Sequence, residues 1–176
     1  AFGTRPAAFQ TVRYSEKLLQ ASGITVVPVD LSEIIARSQA KDAKDSAVKE
    51  KLAAIKEYGK IPTAIAGDSI LRQARLSVVF DELMEEHELD ASAVQCWNSI
   101  ENNYGCASCL SMSMMGEQCL PSACETDVTG AVSMYALLLA GGSIPALLDW
   151  NNNFGHHQDK CVCTHCSNFP KSFMGN

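Results

Sequence analysis

The stretch of residues 121–155 limits the possible fold more than any other part of the sequence. It reads as a short apolar segment, a helix of small and apolar side chains, and a second apolar segment. An acidic residue follows each apolar segment: Glu125 follows the first and Asp149 follows the second. This order is typical of a strand-helix-strand unit in a parallel sheet, so the stretch predicts an α/β fold.

The two acidic residues are 24 positions apart, the separation of equivalent positions in neighbouring parallel strands joined by a helix. Both carboxylates are then expected at one edge of the sheet, close enough to share a cation. A carboxylate in apolar surroundings needs a cation, a metal or a raised pKa, because its desolvation is costly. The alternative is that Glu125 and Asp127 only cap the following helix. Spacing does not decide between these two readings for Glu125, whereas Asp127 is assigned to the cap.

The remaining segments extend this unit into one α/β domain over residues 1–176, a Rossmann-like parallel sheet flanked by helices. A helix-rich part, residues 1–90, precedes the part that carries the candidate site, residues 91–176. Helices are expected in five segments, 5–22, 36–58, 65–89, 104–116 and 126–140, of which 36–58 is charged and suits an exposed helix or helix pair. Strands are expected at four further segments, 24–30, 92–96, 144–148 and 160–168.

Composition excludes two classes of partner. The net charge of −6 argues against a nucleic-acid surface, which would be basic. No run of 18 or more apolar residues is present, so no membrane span is expected. All eight cysteines lie after residue 95, and the α/β pattern without a signal region favours a reducing cytoplasm in which they remain thiols. Because the sequence begins without Met, we expect a piece excised from a longer polypeptide.

Polar residues near the predicted strand ends are candidates for the site. His165, near the end of the last predicted strand, is a candidate metal ligand or substrate contact. Two carboxylates with an imidazole suit Mn²⁺ or Mg²⁺, and open coordination positions would accept substrate oxygens. Gln95, Trp97 and Asn168 are candidate substrate-binding residues, since α/β folds place functional groups beyond the carboxyl ends of strands.

A cysteine-rich segment supports a competing hypothesis from another class. Residues 161–166 contain Cys161, Cys163, His165 and Cys166, which is dense enough for a zinc or iron-sulfur module without catalysis. In a strand, however, the first three would share one face and Cys166 would point away. The CxxC at Cys106 lies in an apolar helical run without the turn glycines of a zinc knuckle.

Several blocks together carry a family resemblance. The main blocks are CETDVTGAVSMYALLLAGG, LLDWNNNFG and DKCVCTHCSNFPKSF. They resemble the L-fucose isomerase and L-arabinose isomerase superfamily, specifically its shorter fucose-isomerase-like branch. The first residues of the chain, AFGTRPAAFQTVRYSEKLLQASGI, resemble the start of the second domain of that family. The segment AVQCWNSIENNYG resembles a block between this start and the glutamate-bearing block. The resemblance extends over essentially the entire chain, and its most specific part is the glutamate-helix-aspartate block.

The resemblance implies an aldose–ketose isomerase that acts on an open-chain sugar at a divalent metal, usually Mn²⁺. In the family, the glutamate and aspartate that match Glu125 and Asp149 bind the metal and move a proton between C1 and C2 through an enediol. A histidine of arabinose isomerases corresponds to His165, but those enzymes have Glu at the position of Asp149, so the fucose-like branch fits better. Arg5 resembles an arginine-bearing loop near the active site.

The resemblance also sets limits on what this chain can do alone. Fucose isomerases take a further metal-binding histidine from a C-terminal domain that this chain does not include, so the piece is expected to bind metal weakly and to turn over little. The full-length protein is expected to be a homo-oligomer. A sugar-binding relative that has lost catalysis is the remaining alternative.

Overall fold

The computed structural model describes residues 1–165 and 168–174. Helices dominate the first half of the chain, and two short parallel strands and a hairpin lie in the second half. The helices and strands run in the order α1 Glu16–Ala21, α2 Leu31–Ala40, α3 Ser46–Tyr58, α4 Gly67–Glu86, β1 Ser92–Ala93, α5 Ser99–Asn103, α6 Cys109–Glu117, β2 Ser122–Ala123, α7 Val128–Gly141, β3 Asp149–Phe154 and β4 His157–Thr164.

A small parallel sheet organises the domain. Strands β1 and β2 pair in parallel, with Ser92 opposite Ser122. The segment at Phe2 forms parallel bridges both to Val29 and to Val94. The extended segments therefore lie in the order Val29, Phe2, β1, β2, which is the 2-1-3-4 order of flavodoxin-like sheets. The prediction of an α/β fold with a parallel sheet and flanking helices is confirmed.

Helices cover the sheet on both faces. On one face, Ala93 and Ala123 pack with residues of α7 such as Met134. On the other face, a larger core joins Phe2 and Val94 to residues of α2, α4, α5 and α6. Phe2 and Phe80 of α4 are both fully buried, with ring centroids 5.3 Å apart. Successive strand residues thus point to opposite layers, and both layers keep water away from the sheet.

Local signals mark the start of helix α2 and both ends of helix α7. The Asp30 carboxylate accepts a hydrogen bond from Ser32 N at 2.7 Å and caps α2. Asp127 caps α7 in the same way, accepting from Gly130 N at 2.8 Å. Gly142 then ends α7 with a φ of 62°, a left-handed conformation that glycine adopts readily. The prediction that Asp127 is a helix cap is confirmed.

The predicted helix over residues 5–22 is wrong for its first part. Helix α1 begins only at Glu16, where the Ser15 hydroxyl caps it, and residues before it form turns. One physical reason is Arg5, whose Nη1 donates to the carbonyl oxygens of Pro6 and Phe9. These carbonyl oxygens thus accept hydrogen bonds from a side chain in a folded loop. A periodic pattern of apolar residues does not predict such a contact.

The predicted strand at residues 144–148 is also wrong. These residues form no regular element, and Pro145 lacks the N–H that a central strand must donate. The strand begins instead at Asp149, where β3 pairs with β4 in an antiparallel hairpin separate from the parallel sheet. The described side chains of this hairpin are solvent-exposed. Asp149 therefore opens a hairpin rather than following a parallel strand.

None of the helices in the described residues combines the length and apolar character required to cross a bilayer.

Candidate active site

Three loops follow the carboxyl ends of neighbouring parallel segments and form one edge of the sheet. The first begins at Gly3, the second at Gln95 and the third at Cys124. The first two flank the position where the strand order reverses, between Phe2 and β1. Open α/β sheets bind ligands in the crevice outside this position, so the three loops are the candidate site.

Gln95 joins the first two loops. Its Oε1 accepts a hydrogen bond from Thr4 N at 2.8 Å. Gly3 has a φ of 88°, and a Cβ placed there would lie 2.5 Å from the same oxygen. The close approach therefore requires glycine at this position. Gln95 therefore lies at this edge of the sheet, and its contact with a substrate stays a prediction.

An aromatic pair stands beside this junction. Phe9 and Trp97 meet edge to face, with ring centroids 5.5 Å apart and planes at 77°. Trp97 is 48% exposed, so part of its indole is open to a ligand. Arg5 is half-buried at the base of the same loop. Trp97 and Arg5 thus lie in loops of the candidate site, and their roles in substrate binding stay predictions.

The third loop holds Glu125 in an unusual backbone conformation. Glu125 has a φ of 63° and Thr126 a φ of 56°, so two consecutive residues other than glycine are left-handed. This conformation costs about 1–2 kcal/mol per residue, because Cβ approaches the following carbonyl oxygen. Such strain persists only where surrounding contacts impose it, and it concentrates at functional sites.

Glu125 also has an unusual electrostatic environment. Burial raises the pKa of the half-buried Glu125 carboxyl, and the negative charges of Asp149 and Asp127 raise it further. Asp149, itself exposed, is therefore close enough to influence Glu125 although the predicted strand before it is absent. The structure brings the two predicted carboxylates into one electrostatic environment by a different route, through the hairpin.

The described residues do not form a complete metal site. Two carboxylates fit a hard divalent cation such as Mn²⁺, because oxygen ligands are the ones it prefers. Within residues 1–165 and 168–174, however, no three His, Cys, Asp or Glu side chains form a group that could hold a metal. His165 thus does not complete a ligand set with Glu125 and Asp149, and its role as a ligand stays a prediction.

Asn168 and the cysteine-rich segment lie outside the three loops of the candidate site. Asn168 is 4% exposed and its Nδ2 donates to the carbonyl oxygen of Ser122, so it supports β2 from within the core. Cys161 and Cys163 are exposed on β4, with their sulfurs 3.9 Å apart. Cys166, the fourth member of the proposed zinc cluster, lies outside the described residues.

Cys96 and Phe9 are site residues that the sequence did not single out. The Sγ of Cys96 accepts a hydrogen bond from Glu125 N at 3.3 Å. Hydrogen bonds from Cys124 and from the Glu125 N–H lower the pKa of Cys96. The available signal was its place two residues after Val94, on the same face of the strand and at its carboxyl end. Phe9 gave no signal, because its partner Trp97 is 88 positions away.

Comparisons with known proteins connect this chain to sugar isomerases. No model of a known protein family matches the chain. It is 27% identical over 164 residues to the sulfoquinovose isomerase of Priestia aryabhattai. The aligned residues cover 92% of this chain and 35% of that relative. It is 33% identical over 130 residues to the sulfoquinovose isomerase of Alkalicoccus urumqiensis, covering 72% of this chain and 28% of the relative.

A third sulfoquinovose isomerase, from Clostridium sp. (strain MSTE9), is 26% identical over 136 residues. The chain thus spans about a third of the length of the curated relatives it matches. The expectation of a sugar-isomerase relationship is supported at this coarser level, and the fucose-isomerase-like assignment within it stays a prediction. The chain is similar to proteins named as isomerases of a sugar, at modest identity.

Proposed function

We propose that this chain carries the proton-transfer and metal-binding residues of an aldose–ketose isomerase whose substrate is a sugar of the sulfoquinovose class. The observation that carries the proposal is the half-buried, left-handed Glu125 in the loop after β2, whose pKa is raised by burial and by the charge of Asp149. Similarity to sulfoquinovose isomerases over 92% of the chain supports the same reaction class and suggests the substrate.

Glu125 has the properties of a general base for this reaction. A carboxylate with a raised pKa is a stronger base than an ordinary glutamate. Asp149 contributes a second carboxylate from the start of the hairpin, where its side chain is exposed. Together they can remove a carbon-bound proton and return it to the adjacent carbon.

The atoms balance without any redox partner. From an open-chain aldose, the C2–H bond breaks and a carboxylate takes the proton. The proton returns to C1, while the hydroxyl hydrogen on oxygen 2 leaves and oxygen 1 gains one. Aldose and ketose therefore have the same composition, and proton transfer between carboxyls and substrate is sufficient.

A divalent metal, with Mn²⁺ as the proposed ion, would be held by Glu125 and Asp149 together with ligands from outside the described residues. When bound, it would polarise the carbonyl and hydroxyl oxygens of the sugar and make the carbon-bound proton more acidic. Gln95, Trp97 and Arg5 line the neighbouring loops and are proposed to orient the sugar. The exposed part of the Trp97 ring offers an apolar surface, while Gln95 and Arg5 offer hydrogen bonds.

The test compares variants of the complete protein, assayed with Mn²⁺ against sulfoquinovose and a panel of other aldoses. Glu125→Gln is expected to lower the isomerisation rate about 100- to 10,000-fold, the usual contribution of a general base. Cys163→Ser is the matched control, since its sulfur lies on the exposed hairpin. Loss of stoichiometric zinc and activity in Cys163→Ser, with Glu125→Gln unaffected, would refute the isomerase and support the cysteine-based module.

A further inference from the structure

We propose that Cys96 is a positioning residue that holds Glu125 in the conformation its chemistry requires. The inference rests on the proposed function of Glu125 and adds a residue that neither the sequence pattern nor the names of the relatives assign. Its basis is the hydrogen bond from the backbone N–H of Glu125 to the Sγ of Cys96, at 3.3 Å.

The turn that carries Glu125 is held by the carboxyl end of β1. Glu125 N donates to Cys96 Sγ, and Thr126 N donates to the carbonyl oxygen of Val94 at 3.0 Å. A third bond, from Asp127 N to the Cys124 carbonyl oxygen at 2.9 Å, closes the turn on itself. Two successive N–H groups of the turn therefore depend on acceptors from one neighbouring segment, residues 94–96.

These bonds oppose a backbone that would otherwise relax. Both Glu125 and Thr126 are left-handed, a conformation that side chains bearing Cβ disfavour. The Val94 bond fixes Thr126, but only the Cys96 sulfur bonds the N–H of Glu125 among the hydrogen bonds of the described residues. Without it, Glu125 would lose the contact that ties its own peptide to β1, and its carboxylate would be displaced from the edge.

The place of Cys96 in the core explains why its sulfur stays in position. Cys96 is 3% exposed and packs in the same core cluster as Ile100, Met112 and Cys124. A thiol is a small apolar side chain that also accepts a weak hydrogen bond, so it can fill this core and still serve the N–H of Glu125. An apolar side chain of similar size would fill the core but leave that N–H without its acceptor.

The test is a pair of variants of the complete protein that remove the same volume. Cys96→Ala and Cys96→Ser leave side chains of nearly equal size, but only serine keeps an acceptor. We expect kcat to fall about 100-fold in Cys96→Ala, the cost of a misplacement near 1 Å, with KM changed less than twofold. Cys96→Ser is expected to recover at least about tenfold of that loss, a share of the same misplacement.

A second measurement does not depend on activity. Hydrogen–deuterium exchange of the peptide containing Glu125 is expected to accelerate in Cys96→Ala and to stay near wild type in Cys96→Ser. Cys106→Ala serves as the control for removing a thiol from a partly buried position, because Cys106 packs against the same core without contacting Glu125. It is expected to leave both kcat and this exchange unchanged.

Equal losses in Cys96→Ala and Cys96→Ser, in kcat and in exchange, would overturn the proposal and leave Cys96 as a packing residue. A serine variant worse than the alanine variant would overturn it too. Failure of the proposed function looks different: the wild-type protein would then isomerise no sugar, while the exchange of the Glu125 peptide would still separate the two variants.

Discussion

At Glu125, the features that suit proton transfer oppose folding stability. The carboxyl is half-buried, two aspartates place negative charge near it, and its backbone is left-handed. Each of these raises the free energy of the ionised folded state. A folded chain tolerates such a residue where its contacts elsewhere outweigh the cost, as is common at functional sites.

This conflict predicts the effect of Glu125→Gln on heat stability. Because the pKa of Glu125 is raised in the folded state, that state binds more protons than the unfolded state between the two pKa values. The residue is thus least unfavourable below the unfolded pKa, and stability falls as pH rises through the folded pKa. We expect metal-free Glu125→Gln to melt at a higher temperature than wild type at pH 7, and at nearly the same temperature near pH 4.

Calorimetry with a chelator present measures both melting temperatures. Asp127→Asn is a useful companion variant, because it removes one of the two neighbouring charges and keeps an oxygen for the cap. A wild-type protein that is more heat-stable than Glu125→Gln at pH 7 would contradict the assignment of a disfavoured carboxylate.

Gly3 permits a second prediction at the residue scale. Gly3→Ala combines a positive φ with a Cβ that would lie 2.5 Å from Gln95 Oε1, so Gln95 must move. We expect a loss of unfolding free energy of about 1–3 kcal/mol. Gly23→Ala is the matched control, because Gly23 has a φ of 80° with nothing within 4 Å of the added Cβ.

Denaturant unfolding of both variants separates strain from contact. The difference between them isolates the contact with Gln95, since both share the backbone penalty. Equal losses in the two glycine variants would mean that Gln95 adapts without cost and does not tie the first two loops together.

Helix α7 is the element that sets the spacing of the site. It begins at the Asp127 cap, two residues after Glu125, and it ends at Gly142 before the segment that leads to Asp149. Asp127→Ala removes the acceptor for Gly130 N and is expected to cost about 1 kcal/mol of unfolding stability. Asp127→Asn keeps an acceptor and should lose much less. Chemical denaturation checks the order, and an alanine variant as stable as wild type would remove the cap from this account.

The elements differ in how far sequence predicts them, for physical reasons. Helix α7 was predictable because its cap, its small side chains and its terminal glycine are all local. The segment 144–148 was predicted wrongly, because an apolar run is typical of a strand. Pro145 lacks the N–H that would donate a hydrogen bond to a neighbouring strand, and the apolar pattern does not take this into account. Strand β3 has little hydrophobic alternation, so its pairing with β4 depends on the hairpin rather than on burial.

The sequence singled out the two carboxylates of the candidate site and not the residues that contact them. Glu125 and Asp149 stood out because acidic residues are rare around them in the sequence. The Cys96 sulfur that holds Glu125 and the Phe9 ring beside Trp97 depend on contacts across the fold. Their partners are 29 and 88 positions away, and no local pattern encodes such contacts.

At the scale of the whole molecule, the described residues form one edge of the candidate site. It spans about a third of the length of the curated sulfoquinovose isomerases it resembles. Two carboxylates without a third ligand in the described residues suit a site completed from elsewhere in the protein. The homo-oligomer, the cytoplasmic location and the remaining metal ligand are predictions for the complete protein.

The proposed proton transfer by Glu125 and Asp149 can be followed with solvent deuterium. The complete protein with Mn²⁺ is incubated with sulfoquinovose in D₂O, and NMR follows deuterium at C1 and C2. We expect carbon-bound deuterium in substrate and product, with its incorporation slowed at least about 100-fold in Glu125→Gln. Isomerisation that leaves both carbons fully protonated, or that proceeds equally fast in Glu125→Gln, would contradict it.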